Sequence, residues 1–343
     1  MDFTPSPEQQ AVADVVSAAL HRELSWEGLV SGGVTALPMP GRLGGDNVGL
    51  REVATAMTQI GQHGLVSPAL ATLGLGVVPL LELATDAAQD RFLAGVANGA
   101  LLTAALNEPG APLPTHCATI LRNGRLSGTK VSVSYAAQAD WMIVTATGTP
   151  DSVVLVVSPQ ADGVQLTKTP TSSGADEYVV SFADVAVPDQ DVLVGATVQR
   201  VNQLALAMIG AFVDGLVAGA LRLTADYVAH RHQFGKPLAT FQSVAAQLAE
   251  VYITSRTLSL IAKSVVWQLA QHRDADPDLA VLGYWLTAQA PPAMQTCHHL
   301  HGGIGVDITY PMSRYYSACK DLTRLLGGPS HQLNMLAGIC SSN

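Results

Sequence analysis

The stretch R-H-Q-F-G-K-P-L-A-T-F-Q occupies residues 231–242 and separates two long apolar segments with helical periodicity. Arg231 follows the first segment, and its guanidinium is suited to bidentate contact with a phosphate. Phe234 offers a flat ring for stacking, and Gly235 lets the backbone approach a ligand closely. The same residues can also form an ordinary turn with a capping arginine, because short motifs often occur without a function. The stretch therefore predicts a turn between two long helices, and the rest of the chain decides whether that turn binds a ligand.

A second stretch, H-H-L-H-G-G-I-G-V-D-I-T-Y-P, occupies residues 298–311. Gly302, Gly303 and Gly305 follow a helical pattern and offer backbone amides that can hold a phosphate or a ribose. A metal site is the competing interpretation, because Cys297 and three histidines precede the glycines: His298, His299 and His301. Neighbouring positions on a helix point in different directions, so few of these four side chains can reach one ion. We therefore expect no metal here.

The periodicity of the sequence changes twice. Helical patterns fill the first hundred residues, short alternating segments rich in Val and Thr follow, and helical patterns return near Val198. We predict an α+β fold in consecutive blocks: an N-terminal α-helical domain (1–100), a middle antiparallel β-barrel domain (101–196) and a C-terminal four-helix bundle (197–343). The helices expected in the last block span about 198–230, 241–271, 276–300 and 311–325. Blocks of this kind argue against Rossmann and TIM-barrel architectures, in which strands and helices alternate.

The composition limits the kind of protein. The 343 residues are 48% apolar and only 13% charged, whereas a soluble domain usually has roughly 25% charged residues. A membrane protein and an oligomer that covers much of its surface both have such a composition. The most apolar helical stretch, Leu204 to Leu223, contains Asp214 and Arg222. We therefore expect a soluble obligate oligomer without a membrane span.

Charge and cysteine content narrow the possibilities further. The net charge is −9 and the basic residues are scattered, so the basic stripe of a nucleic-acid-binding protein is missing. No basic segment follows Met1, and we expect no secretory signal. The cysteines have no C-x-x-C spacing, which favours a reducing, cytoplasmic location. They are Cys117, Cys297, Cys319 and Cys340.

Four stretches resemble motifs of the acyl-CoA dehydrogenase family. The stretch L-N-E-P-G-A (106–111) is similar to the opening of that family's middle domain, and G-T-K-V-S-V-S-Y-A-A-Q-A-D-W (128–141) is similar to one of its strands. The stretch at 231–242 is similar to the family's most specific C-terminal motif. H-L-H-G-G-I-G (299–305) resembles its Gln-x-x-Gly-Gly-x-Gly loop, with His299 in place of Gln. Together with the order of the blocks, the resemblance covers essentially the whole chain.

The resemblance implies non-covalently bound FAD and the formation of an α,β double bond in an acyl-CoA. In the family a Glu removes the α-proton while the β-hydride passes to the flavin. In this sequence the usual position of that Glu holds Leu326, and the alternative position falls near Leu204. The only Glu between residues 178 and 343 is Glu250, in a position typical of a helix surface. Asp214 is the remaining candidate base, although an inter-subunit polar contact is the simpler role for it.

The resemblance also implies which cofactor contacts remain. The loop after Glu-Pro-Gly-Ala runs Pro112-Leu113-Pro114, and Ser132 and Ser134 replace side chains that usually touch the isoalloxazine ring. The contacts that remain are those with which family members reach the ADP half of an FAD seated in the neighbouring subunit. No catalytic residue is expected in this chain. The expected cofactor-binding residues are Arg231, Gln233, Phe234, Gln242, His299, Gly302 and Gly303.

These features together predict the non-catalytic half of a heteromeric enzyme. The chain resembles the shorter subunit of actinobacterial α2β2 dehydrogenases that act on steroid (cholesterol) side-chain CoA thioesters. A homologous longer subunit is expected to supply the base, most of the acyl-CoA site and the bed of the flavin ring. An electron-transfer flavoprotein or a similar acceptor is expected to reoxidise the flavin. The alternatives are a self-sufficient homotetrameric dehydrogenase with Asp214 as base, a non-enzymatic scaffold relative, and a zinc protein that uses residues 297–301.

Overall fold

The N-terminal block is helical. The computed structural model describes residues 3–149 and 151–341, and the side chains of this part up to residue 339. A π-helical segment leads directly into the fourth α-helix of the block. The elements are α1 (Pro7–Arg22), α2 (Trp26–Ser31), α3 (Leu50–Gln62), the π-helical segment (Leu70–Val77), α4 (Val78–Leu83) and α5 (Asp86–Phe92).

Local sequence explains where α1 begins and which face it buries. Ser6 Oγ accepts the N–H of Gln9, and the Gln9 side chain accepts the N–H of Ser6, so two free donors of the first turn are satisfied. Pro7 occupies the first turn, where its missing N–H costs nothing. The apolar positions at helical spacing face the core: Val12, Val16, Ala19 and Leu20.

The middle block contains seven strands in one sheet. The Asn123-Gly124 pair, with φ angles of 51° and 70°, forms the hairpin that the sequence predicts between the second and third strands. The third and seventh strands pair antiparallel, with two irregularities in their register. The strands are β1 (Leu102–Ala105), β2 (Ile120–Arg122), β3 (Arg125–Ser134), β4 (Trp141–Thr147), β5 (Ser152–Val157), β6 (Val164–Thr169) and β7 (Glu177–Ala186).

The expected antiparallel barrel is wrong in detail, because the described strands form an open, mixed sheet. β4 pairs in parallel with β1 and β2 and antiparallel with β5, and β6 lies at the opposite end. The outer edge of β5 is covered by a later segment, in which the N–H of Leu193 donates to the Val154 carbonyl at 2.8 Å. β1 is covered by the π-helical segment, because Thr72 Oγ1 donates to the Leu102 carbonyl at 3.1 Å. Since other segments occupy these edges, the sheet does not close on itself.

A buried ion pair fastens the L-N-E-P-G-A loop to the sheet. Lys130 Nζ lies 2.9 Å from Glu108 Oε1, and both side chains are buried. Glu108 also accepts the N–H groups of Ala118 and Thr119, at 2.6 and 2.9 Å. Because every charged atom of the pair has partners, the loop is held in one position against β3.

The C-terminal block is helical but differs from a plain four-helix bundle. The expected helix at 276–300 is two helices that meet at Gln289, because Pro291 and Pro292 lie in the first turn of the second and cannot continue a helix. A further helix follows the last one expected. The elements are α6 (Val198–His230), the two-residue strands β8 (His232–Gln233) and β9 (Lys236–Pro237), α7 (Gln242–Ala270), α8 (Asp276–Ala288), α9 (Ala290–His301), α10 (Met312–Leu325) and α11 (Gly328–Ser341).

Helix α6 is the central helix of the molecule. It is long and apolar enough to cross a membrane, but 83% of its most apolar window is buried inside the protein, as in a core helix. Gly61 of α3 and Gly215 of α6 let these two helices touch backbone to backbone, since a Cβ at either glycine would meet the other helix. Elements change type between α5 and β1 and between β7 and α6, and we retain 100/101 and 196/197 as the proposed domain boundaries.

The described cysteine side chains are free and buried. They are Cys117, Cys297 and Cys319. The side chain of Cys340 lies outside the described residues.

Candidate nucleotide-binding surface

A short hairpin follows the end of α6. The N–H of Arg231 donates to the Tyr227 carbonyl at 2.9 Å, and the N–H of Leu238 donates to the Arg231 carbonyl at 2.8 Å. Phe234 and Gly235 form the turn with φ angles of 54° and 78°, a conformation that is uncommon for a side chain as large as Phe. We call residues 231–237 the Arg231 hairpin.

The hairpin presents its side chains to solvent. The Phe234 ring is 90% exposed, which is unusual for an aromatic residue and typical of a contact surface. The edge of Phe234 faces Phe241, with ring centroids 6.1 Å apart, and Lys236 Nζ lies 4.3 Å from the Phe241 centroid. Helix α7 begins directly afterwards at Gln242. Arg231 and Gln242 thus flank an exposed aromatic surface.

The second stretch forms a loop after α9, and we call residues 302–306 the glycine loop. Gly302 has a φ of 61°, and a Cβ placed on Gly302 or Gly303 would meet no atom within 4 Å. These two backbone units are therefore open to an approaching ligand. Gly305 instead turns inward, where a Cβ would lie 3.0 Å from the His298 carbonyl oxygen.

The structure brings the two stretches together at one end of α6. The His301 ring, directly before the glycine loop, stacks on Tyr227, one turn before Arg231, with centroids 4.7 Å apart. The residues expected to bind the cofactor are all exposed: Arg231, Gln233, Phe234, Gln242, His299, Gly302 and Gly303. No sequence pattern indicates the contact between Tyr227 and His301, although His301 lies within the second motif and Tyr227 lies one helical turn before the first.

Metal binding finds no support in the geometry. In the described part of the chain, no group of three or more His, Cys, Asp or Glu side chains is placed to hold an ion. His301 Nδ1 is 2.8 Å from the Cys297 carbonyl oxygen, an ordinary hydrogen bond along a helix.

Asp214, the remaining candidate base, lies away from this surface. It is 4% exposed and lines a cavity of about 320 Å³ between α1, α3, α6 and α7. Burial raises the pKa of Asp214 to about 7, while Lys263, a hydrogen bond from Ser259 and Arg256 partly oppose this shift. The residues that line this cavity come from neither the middle block, the Arg231 hairpin nor the glycine loop.

Leu326 and Leu204, which the resemblance aligns with the family's base, are both packed in the interior. Leu326 follows α10 and is 1% exposed. Asn107 Nδ2 donates to the Leu325 carbonyl at 2.7 Å, and Gln332 Nε2 donates to the Leu326 carbonyl at 2.7 Å. Leu204, the alternative position, is fully buried in α6.

The face of β3 near Ser132 is occupied by an arginine from α10. Arg324 Nη1 donates to Ser132 Oγ at 2.9 Å, and its Nη2 lies 2.6 Å from Glu177 Oε2. Beside it, a small cavity of about 80 Å³ is lined mostly by apolar side chains, among them Phe212 and Leu325. No sequence pattern indicated this role for Arg324, because it depends on contact between distant segments.

Two family models match the chain, one at each end. The family model "Acyl-CoA dehydrogenase, N-terminal domain" matches residues 6–100, and "Acyl-CoA dehydrogenase, C-terminal domain" matches residues 198–338. The chain is 69% identical over 341 residues to acyl-CoA dehydrogenase FadE28 of Mycobacterium tuberculosis, covering 99% of both chains. It is 29% identical over 347 residues to acyl-CoA dehydrogenase FadE27 of the same organism, covering 98% of this chain and 92% of that one.

Solved structures share the fold over the full length. A chain of the ChsE4-ChsE5 complex from Mycobacterium tuberculosis superposes with a TM-score of 0.91 at 26% identity, covering 100% of both chains. A variant of the Tcur3481-Tcur3483 steroid ACAD superposes with a TM-score of 0.90 at 27% identity, covering 98% of both. The motifs, the fold and these similarities lead to one conclusion: the chain belongs to the acyl-CoA dehydrogenase family.

Proposed function

We propose that this chain is the FAD-contacting, base-lacking subunit of a heteromeric acyl-CoA dehydrogenase that oxidises a steroid side-chain CoA thioester. The observation that carries the proposal is that Leu326 and Leu204 stand where the resemblance puts the family's Glu. Glu250 is the only Glu from residue 178 onward, and it lies exposed on α7. A thioester α-proton is weakly acidic, so dehydrogenation requires a carboxylate close to it. A longer homologous subunit is the natural source of that carboxylate.

The packing beside β3, where the resemblance puts the flavin ring in other family members, supports the same assignment of roles to the two subunits. Asn202 Nδ2 donates to the carbonyls of Leu113 and Pro114 at 2.9 and 3.2 Å, which draws this loop onto α6. The guanidinium of Arg324 covers Ser132 on β3. These contacts occupy part of the space beside β3 and leave a cavity of about 80 Å³ there, so we place the flavin ring in the partner.

The Arg231 hairpin and the glycine loop fit the other end of FAD. An exposed guanidinium, an exposed aromatic ring and two open glycines are what a pyrophosphate with an attached adenosine requires. When bound, FAD supplies the hydride acceptor of the reaction. This chain's residues then hold the nucleotide: Arg231 pairs with phosphate, Phe234 packs against the adenosine, and Gln233, Gln242 and the glycine loop offer hydrogen bonds.

The nature of the similar proteins supports the heteromeric and steroid parts of the proposal. Two of the matching structures are two-protein assemblies, ChsE4-ChsE5 and Tcur3481-Tcur3483, and the second is a steroid ACAD. We propose a cytoplasmic α2β2 heterotetramer with one FAD for each heterodimer. An electron-transfer flavoprotein or a similar carrier would accept the electrons.

Replacing Arg231 with Ala in the purified complex tests the proposal. Loss of a charge-assisted phosphate contact of about 1.5–3 kcal/mol raises the dissociation constant of FAD about 10- to 100-fold. Fluorescence titration of the apo complex with FAD measures this change. Arg273→Ala is the matched control, because Arg273 is exposed beyond the far end of the 29-residue helix α7, about 40 Å from Gln242. Equal FAD affinity in the Arg231 and Arg273 variants would favour the scaffold alternative.

A further inference from the structure

His301 is almost completely enclosed, at 2% exposure. One face of its ring stacks on Tyr227 at 4.7 Å, and Tyr310 lies 5.3 Å away at a tilted angle. Nδ1 is 2.8 Å from the Cys297 carbonyl oxygen, while Nε2 is buried and has no hydrogen-bond partner. Because its free nitrogen has no partner, the ring contributes to the fold through its flat faces. We call this rigid aromatic ring the plate.

The plate touches both halves of the proposed nucleotide surface. Tyr227 stacks on it and accepts the N–H of Arg231, so the ring fixes the start of the Arg231 hairpin. His301 also directly precedes Gly302, and a Cβ placed on Gly305 would lie 3.3 Å from the Cβ of His301. The hairpin and the glycine loop, about 70 residues apart in the sequence, therefore share one support.

The surroundings of the ring favour its neutral form. Burial lowers the pKa of His301, the Cys297 carbonyl raises it, and the neighbouring His298 lowers it again. The groups that face the ring are Tyr227 from α6, Cys297 and His298 from α9, and Tyr310 from the following loop. Two acids lie on the adjoining segments, Asp226 and Asp307, and both are exposed and paired elsewhere: Asp226 with His230 at 3.3 Å and Asp307 with Thr309 at 2.8 Å. A proton on Nε2 would thus create a buried charge without a counter-ion.

We propose that His301 is a positioning residue that sets the spacing between the Arg231 hairpin and the glycine loop. In its neutral, stacked state it lets both reach the same dinucleotide. The inference rests on the proposed function and adds to it a residue that need not touch the cofactor. It also makes FAD retention by the complex sensitive to acid.

Two substitutions in the purified heteromeric complex separate stacking from hydrogen bonding. His301→Ala removes the plate, and we expect the FAD dissociation constant to rise about tenfold, with kcat unchanged at saturating FAD. His301→Phe keeps the stack on Tyr227, and we expect FAD binding to stay within about threefold of wild type. His63→Ala is the matched control, because His63 Nδ1 bonds the carbonyl four residues earlier at 2.9 Å in the same way, but at the end of α3.

A pH profile supplies a readout that simple loss of stability would not change. In the wild-type complex, FAD affinity should fall as the pH is lowered from 7 to 5, because protonation of His301 separates the two halves. His301→Phe has no proton to gain there, so its profile should be flatter. If His301→Ala fails to assemble, this comparison alone decides the question. An unchanged profile in His301→Phe, or FAD affinity in His301→Ala equal to that of His63→Ala, would overturn the proposal.

The Arg231→Ala variant distinguishes failure of the proposed function from failure of the positioning role of His301. If Arg231→Ala weakens FAD binding and His301→Ala does not, the positioning role alone is wrong. If neither weakens it, the nucleotide surface itself has been misplaced and the positioning role falls with it.

Discussion

Asp214 shows how a buried acid can resemble a catalytic base. Its pKa, raised to about 7 by burial, lies in the range that suits a general base. Its cavity, however, is lined by residues of α1, α3, α6 and α7 and of the segment before α1, none of which belongs to the Arg231 hairpin or the glycine loop. We therefore expect Asp214→Asn to leave kcat of the complex unchanged. A loss of 100-fold or more would support the self-sufficient alternative instead.

The same substitution has a defined effect on stability. The folded state keeps a proton on Asp214 that the unfolded chain releases between about pH 4 and 7, so wild-type stability decreases as the pH rises through that window. Asp214→Asn removes this loss, and it should raise the melting temperature of the complex at pH 8. The gain should shrink as the pH is lowered toward 5. Asp140→Asn, at an exposed carboxylate, is the control and should show no such trend.

The sequence indicates the exposed residues of the two motifs, but it does not indicate the Tyr227–His301 contact that joins them. The sequence indicates Arg231, Phe234 and the glycines because the chemistry of each residue type is local. Tyr227 and His301 gain their role from a stacking contact between α6 and α9. Such a contact depends on packing between distant segments, and no spacing within one helix indicates it.

Helix α10 ends where the family's base is expected, and its last turn is built to pack. Leu326 is buried, and the carbonyl groups of Leu325 and Leu326 are bound by Asn107 and Gln332. Introducing the missing acid by Leu326→Glu would bury a carboxylate without a cation beside it. We expect a loss of several kcal/mol in stability and no dehydrogenation by the chain alone. Leu326→Met, which keeps an apolar side chain of similar volume, is the control for thermal unfolding.

A gain of flavin-dependent activity in Leu326→Glu would contradict this account of α10. It would mean that the space beside β3 accepts a flavin ring in spite of Arg324 and Ser132.

The type and position of most helices and strands followed from the sequence. Whether the sheet closes and how many helices the C-terminal block contains did not. The Asn-Gly hairpin and α6 lie where periodicity and turn chemistry predict them. The barrel did not form, because whether a sheet closes depends on which segments cover its edges. The break between α8 and α9 was foreseeable, since two prolines cannot lie inside one continuous helix.

The surface of the molecule as a whole is low in charge and partly apolar. Its low charge agrees with large apolar side chains that are exposed on α7, at the end of the glycine loop and just after it: Tyr252, Ile253, Val306 and Ile308. An exposed apolar surface of this kind is typical of a protein that is buried against partners. The heteromeric proposal accounts for that surface and for the missing acid together.

Counting FAD in the chain with and without its partner tests the central claim most directly. The chain is purified alone and again after co-expression with a longer homologous subunit that carries the family's Glu, and both preparations are assayed for FAD content and steroid side-chain CoA dehydrogenation. We expect the chain alone to be colourless and inactive, and the complex to carry one FAD for each heterodimer and to be active. A yellow, active preparation of the chain alone, with one FAD for every protomer, would contradict the account.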